Sequence, residues 1–281
     1  MRRIRIVAVL LLGVCLLAPV GAQIRTVSPY RILVSNDDGV NAPGLAAVAM
    51  TLQAIGDVTI VAPAVNQSGK GHSIITSELV FRQDLTLPNG LHAIGLTATP
   101  ATTVNIAIRN IVTPPPDLVV SGINRGYNLG LTSYVSGTVG AAREAAMHGI
   151  PAIAASLSDA GVPQDYVAAA EEVLGVARRL KQYGIPRMTF LVVNIPARPA
   201  DGYKGYRVTS QAPLLGRAES FAETKDPRSG NPIYWNIYKD GASGPEGSDV
   251  WAVANGYVSV TPMKVGESDA AVGRQLEAWF K

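Results

Sequence analysis

Between residues 30 and 196, short apolar runs alternate with longer stretches of helical spacing. Arg31–Ser35, Val58–Ala62, Leu118–Ser121, Ala152–Ser156 and Phe190–Ile195 are nearly continuous in Ile, Leu, Val, Phe and Ala, the signature of strands covered on both faces. Between them, Leu45–Ile55, Ala101–Asn110, Val139–His148 and Tyr166–Tyr183 have the apolar spacing or alanine content of helices. The alternation predicts an α/β fold, a mostly parallel sheet with helices on both faces. His92–Leu96 adds a shorter strand.

The pattern changes after Pro196. Residues 200–262 are rich in Gly, Pro, Tyr and Trp, with alternating segments around Tyr234–Tyr238 and Tyr257–Val260. This predicts an antiparallel ribbon or small subdomain built on the main sheet. An aromatic ribbon suits either contact with a second chain or packing within its own. Ser268–Phe280 reads as a closing amphipathic helix. The chain thus divides into a leader (1–22), a core (23–199) and a C-terminal β extension (200–281).

The leader has Arg2, Arg3 and Arg5, then an apolar stretch from Ile6 to Leu17 that is short for a membrane span, then Val20-Gly21-Ala22. That is the layout of a cleaved signal peptide, with Gln23 as the new N-terminus and no stable membrane anchor; an uncleaved signal anchor is the other reading. An exported, periplasmic protein is expected. The only cysteine, Cys15, leaves with the leader, which excludes disulfides, thiol nucleophiles and thiolate ligands. Of 24 basic residues three belong to the leader, so the remainder sets 21 basic against 21 acidic side chains. Such a balance gives no global field for a nucleic-acid polymer.

Candidate chemistry lies in the loops that follow strands, where open α/β sheets bind ligands. After Ile32-Leu33-Val34 comes Asn36-Asp37-Asp38-Gly39. Two adjacent carboxylates repel, and a hard divalent cation such as Mg²⁺ or Mn²⁺ resolves the conflict; an acidic surface turn is the other reading. The second loop, Pro63 to Gly71, offers Ser68 as a neutral oxygen beside two glycines. The third, Ser121 to Gly130, brings Asn124, whose amide oxygen suits a hard cation, and Asn128, whose amide can donate to phosphate. Ser136-Gly137-Thr138 then precedes a helix, with Thr138 or Ser136 at its N-cap and backbone N–H groups facing an anion. His72, His92 and His148 lack zinc-ligand spacing, and neither a P-loop nor a GxGxxG fingerprint occurs. A divalent cation beside phosphate is the economical reading of the three loops together.

The chain resembles the SurE family, stationary-phase survival proteins that act as metal-dependent nucleotidases. The resemblance is carried by Ile32 to Gly39, Ala62-Pro63 with Gln67-Ser68-Gly69, Ser121-Gly122-Ile123-Asn124, Asn128-Leu129-Gly130, Ser136-Gly137-Thr138-Val139, Gly149-Ile150-Pro151 and Val258 to Pro262. It implies a Rossmann-like domain with a swapped or paired C-terminal extension, in a homodimer or homotetramer. It implies one divalent metal at Asp37, Asp38, Ser68 and Asn124, and phosphate contacts from Asn128, Ser136, Gly137 and Thr138. The implied substrates are nucleoside 5′- and 3′-monophosphates, with short polyphosphate for some members. Thr102-Thr103 stand where the family often has Asp-Cys, and Leu131-Thr132-Ser133 replace a commonly acidic stretch.

The mechanism expected is metal-assisted hydrolysis of a phosphomonoester, with Asp37 and Asp38 as the catalytic carboxylates and either one orienting the water. Two alternatives stand beside it. One makes Asp37 a covalent nucleophile, although such phosphatases use an Asp-x-Asp spacing. The other is a periplasmic nucleotide-binding protein without turnover.

Overall fold

A computed structural model describes residues 29–159, 165–213, 218–238, 244–266 and 268–280; the leader lies outside them. In chain order the strands are β1 (Arg31–Ser35), β2 (Asp57–Pro63), β3 (Arg82–Thr86), β4 (His92–Leu96), β5 (Leu118–Arg125), β6 (Ala152–Leu157), β7 (Thr189–Ile195), β8 (Tyr206–Val208), β9 (Ala218–Lys225), β10 (Pro232–Tyr238) and β11 (Val258–Lys264). The helices are α1 (Pro43–Leu52), α2 (Pro100–Ile106), α3 (Gly137–Met147), α4 (Tyr166–Tyr183), α5 (Asp249–Ala254) and α6 (Ala270–Leu276).

One nine-stranded sheet has the order β3-β4-β2-β1-β5-β6-β7-β11-β8. Its centre, from β4 to β7, is parallel; β3 and β11 run against their neighbours β4 and β7. Alternate residues of the central strands enter two cores. Ile32, Val34 and Val120 pack with α1 and α4 on one face, while Leu33, Val119 and Val192 pack with residues of α2 and α3 on the other. The expected α/β architecture is therefore the one observed.

Several boundaries move, for local reasons. Pro43 starts α1 two residues early, since a proline at the first helical position has no N–H to lose. After Leu52 the chain tightens into i→i+3 turns through Ile55 instead of continuing the helix. The Ala101–Asn110 segment splits into α2 and a wider π-helical turn, Ala107–Ile111. β5 runs four residues beyond Ser121, past a register shift between Ser121 and Asn124. Gly122, at φ +140, makes that shift possible, because a Cβ there would lie 2.4 Å from the Ala155 carbonyl oxygen. Asn124 thus sits at the end of a strand and not in a loop.

Residues 200–262 divide between two places. β8 and β11 extend the main sheet, so the Tyr257–Val260 alternation is that of a sheet strand. β9 and β10 form a separate antiparallel pair. The closing helix is shorter than its pattern, and α6 buries no residue: Val272, Trp279 and Phe280 in and after it are exposed.

Candidate active site

Strand order reverses at β1: β2 and β4 lie to one side of it, β5, β6 and β7 to the other. A crevice therefore opens beyond the carboxyl ends of β1 and β5, the place where open α/β sheets hold ligands. Asp37 and Asp38 are the first acidic residues past β1, and the tetrad closes on itself through Asn36, whose side-chain amide donates to the Gly39 carbonyl at 2.9 Å. Gly39 adopts φ +102 and faces Val65 and Asn66 so closely that a Cβ would lie 3.1 Å from the Val65 carbonyl carbon.

Asp37 is 3% exposed and faces the start of α3. Thr138 donates its hydroxyl to Asp37 Oδ1 at 2.5 Å and its backbone amide to the same carboxylate. Gly137 lies so near that a Cβ would be 2.8 Å from Asp37 Cβ and 2.9 Å from Oδ2. Burial pushes the Asp37 carboxyl up to about 6; the Thr138 bonds oppose that push and the neighbouring Asp38 charge adds to it. Asp38 is half-buried and also raised by burial, which the backbone N–H of Arg125 (3.0 Å to Oδ2) and the arginine's charge partly offset.

The remaining donors arrive by different routes. Asn124 spends its amide nitrogen on the carbonyls of Arg125 and Gly126, 3.2 and 2.8 Å away, which fixes the side of the amide that carries oxygen. Ser68 is exposed on a loop joined to the site one residue earlier, where Gln67 N donates to the Asp37 carbonyl at 2.7 Å. Ser136, not Thr138, is the N-cap of α3; its hydroxyl accepts from Val139 N at 3.2 Å. Asn128 has inward partners instead of a free amide: its side-chain nitrogen donates to Ser156 Oγ at 2.7 Å and its backbone N–H to Asn194 Oδ1 at 2.8 Å. It sets the shape of the Asn128-Leu129-Gly130 turn.

Asp37, Thr138 and Gly137 are thus in direct contact, Asp38 and Asn124 adjoin through Arg125, and Ser68 is brought alongside by Gln67. Sequence reading missed two residues that hold this arrangement. Asp249, 2% exposed, accepts from Gly130 N at 2.7 Å and from Ala212 N at 3.0 Å. Glu144 lies deep in α3 between His72 and His148. A Ser-Asp pair such as Ser248-Asp249 signals a helix start, which it is, but carries no sign of the distant turn it ties. A cavity of about 520 Å³ sits at the opposite ends of β1 and β5, among Tyr30, Gly56, Asp117 and Lys181.

Among the described residues no group of three or more His, Cys, Asp or Glu could hold a metal ion. The donor set at the crevice is two carboxylates with neutral hydroxyl and amide oxygens. Such a set suits a hard cation that keeps water and takes further oxygens from a phosphorylated substrate. A carboxylate buried beside a second one, with its proton affinity raised, is also what a cation would relieve. The residues fit a Mg²⁺- or Mn²⁺-type ion.

Residues 32–215 match the family model described as survival protein SurE. The 5′-nucleotidase SurE of Geobacter sulfurreducens is 40% identical over 254 residues, spanning 89% of this chain and 93% of the relative. Its counterpart from Coxiella burnetii is 39% identical over 263 residues, 92% of this chain and 98% of that one. The crystal structure of SurE from Aquifex aeolicus superposes with a TM-score of 0.77 at 35% identity, covering 89% of this chain and all of that one. A family match over most of the chain, with relatives at about 40% identity along nearly their whole length, shows that this chain belongs to the SurE family.

Proposed function

We propose that the chain is a metal-dependent nucleotidase that hydrolyses nucleoside 5′-monophosphates, and 3′-monophosphates at the same site, to nucleoside and phosphate. The observation that carries this reading is the contact of Asp37 with the first turn of α3, in a family whose relatives are named 5′-nucleotidases. A cation held by Asp37, Asp38, Asn124 and Ser68 would supply charge neutralisation at the phosphoryl oxygens and a water of lowered pKa. Thr138 keeps Asp37 ionised and oriented through two hydrogen bonds. Gly137, lacking a side chain, lets the first turn of α3 pack directly on Asp37, and its N–H belongs to that first turn, where an anion gains from the dipole. Ser136 holds that turn in shape. Asn128 acts by fixing the neighbouring turn more than by donating to phosphate. Short polyphosphate is accommodated by the same chemistry.

The reading extends to an exported protein, on the leader's pattern, and to a homodimer or homotetramer, on the exposed aromatics of β9 and β10. The test is phosphate release from nucleoside monophosphates by the purified mature chain with Mn²⁺ or Mg²⁺, against the same reaction with chelator and with Asp37→Asn. Activity that needs the cation and is lost in the variant supports it. Nucleotide binding without turnover would leave only the binding-protein reading, and a phosphorylated Asp37 trapped from the reaction would replace hydrolysis by covalent transfer.

A further inference from the structure

The long connection between β2 and β3 carries Ser68, and it is fastened to the rest of the fold on both sides of the serine, while Ser68 N donates within the loop to Asn66 Oδ1 at 2.9 Å. Ala64 N donates to the Leu96 carbonyl at 2.7 Å and Gln67 N to the Asp37 carbonyl at 2.7 Å. Beyond the serine, Gly71 N donates to the Val135 carbonyl at 3.0 Å, the Thr99 hydroxyl to the Ser73 carbonyl at 2.6 Å, and Ile75 N to the Thr102 hydroxyl at 2.8 Å. Between these anchors Ser68, Gly69 and Lys70 form a short exposed arch, closed by Lys70 N on the Gln67 carbonyl at 3.4 Å.

The arch rests on one stripe of α3. Gly137 adjoins Asp37, Gly140 adjoins Gly71, and Glu144 meets His72, the i, i+3, i+7 spacing of a single helix face. Gly140 permits the approach: a Cβ there would lie 2.1 Å from the Gly71 carbonyl oxygen. At the end of the stripe His72 Nε2 lies 2.7 Å from Glu144 Oε2. Glu144, 5% exposed, is itself set by Asn105, which donates at 2.5 Å, and by His148 at 3.2 Å; Arg109 in turn donates to Asn105 at 2.9 Å. Against the upward push of burial, the bonds from His72 and Asn105 hold the Glu144 carboxyl below its ordinary value. This is a buried carboxylate with a complete set of partners, and one partner belongs to the loop that carries a candidate metal ligand.

We propose that Glu144 is a positioning residue: by gripping His72 it holds the Ser68–Gly71 arch against α3 and keeps Ser68 within reach of the cation. The inference rests on the metal site proposed above. It assigns to the same helix two tasks, orienting Asp37 at its first turn and the serine loop two turns later, so that the two sides of the site keep a fixed separation.

The experiment titrates Mn²⁺ into the metal-free chain by calorimetry and records Tm without metal for each variant. His72→Ala and Glu144→Ala are each expected to weaken Mn²⁺ binding about tenfold, the cost typical of residues that orient metal ligands. In a Ser68→Ala background, His72→Ala should cost nothing further, because the clamp acts through the serine. Glu144→Gln, which can still accept from His72, should recover most of the affinity. Gly140→Ala should reproduce the loss without touching any charge. His148→Ala removes a Glu144 partner that does not reach the loop; it should lower Tm and leave Mn²⁺ affinity as in the wild type. If Glu144→Ala does not fold, His72→Ala and Gly140→Ala decide. Folded His72→Ala and Gly140→Ala proteins that bind Mn²⁺ as the wild type does overturn the clamp, while binding that is still lost in Asp37→Asn leaves the metal site standing. A wild type with no Mn²⁺ binding overturns both.

Discussion

At the end of β1 the chain buries polar groups: Asn36 and Asp37 are 0% and 3% exposed, and Thr138 beside them is fully covered. At the β9–β10 ribbon it exposes apolar ones: Phe221 is 62%, Tyr234 67% and Trp235 71% accessible. Tyr234 and Trp235 are consecutive on one strand and so face opposite sides of the ribbon, which leaves both sides bare. Each arrangement is unfavourable alone, one through lost hydration of a carboxylate and the other through apolar surface left in water. The crevice compensates from within, with hydrogen bonds from α3 and β5. The ribbon has only its two strands, which are marginal without further cover. The difference separates polar groups compensated within the fold from apolar ones left in water.

The widest way to break the comparison is at the carboxylate. Asp37→Asn is expected to lower nucleotide hydrolysis by about a thousandfold or more, since the charge that anchors the cation's contribution is gone. The same variant should raise the Tm of the metal-free chain at pH 8, because a buried charge is removed while Thr138 keeps an acceptor. Loss of activity together with loss of stability would contradict this account. Next, Gly137→Ala places a methyl against Asp37 and Pro100, and kcat/KM is expected to fall about a hundredfold through misplacement of the reacting groups. A variant with unchanged kcat/KM would show that the close packing of α3 on Asp37 is not needed for hydrolysis.

Protonation sharpens the contrast further. Asp37 is raised from 3.8 to about 6 on folding, so its proton is bound more tightly in the folded state than in the unfolded one. Its favourable contribution is complete below 3.8 and is lost as pH rises through 6, about 3 kcal/mol in all at 1.36 kcal/mol per unit. The cation competes with that proton. Thermal unfolding with Mn²⁺ and with chelator should therefore converge near pH 5 and separate increasingly toward pH 8. A gap that is independent of pH would remove Asp37 from the metal site.

The smallest expected effect is at the other pole. Tyr234→Ser with Trp235→Ser should change kcat by no more than about twofold, as exposed substitutions outside the residues of the crevice do. Light scattering should show a smaller assembly for that variant than for the unaltered chain. Equal masses would assign the ribbon to some other contact.

The parts of this molecule legible in its sequence are those written in local pattern. Five apolar runs marked five central strands, and the acidic tetrad with its glycine marked the turn that β1 delivers. What was not legible depends on register between distant segments. Asn124 and Asn128 look alike in sequence, yet one stands at a strand end beside Asp38, past the register shift that follows Ser121, and the other, beyond the strand, is bonded to Ser156 and Asn194. Thr138 was expected to hold phosphate, and in the fold its hydroxyl is given to Asp37. Ser268–Phe280 carries an amphipathic pattern but finds no core to cover.

Asp249 reaches back 119 positions to the Gly130 amide. During synthesis the sheet centre and the acidic turn are available long before that carboxylate leaves the ribosome, so the Asn128–Gly130 turn waits for its tether. A fragment ending short of residue 249 would assemble the central strands around an untied lip. Completion of the crevice is in this way coupled to completion of the polypeptide, and a prematurely terminated chain is left with its rim untied.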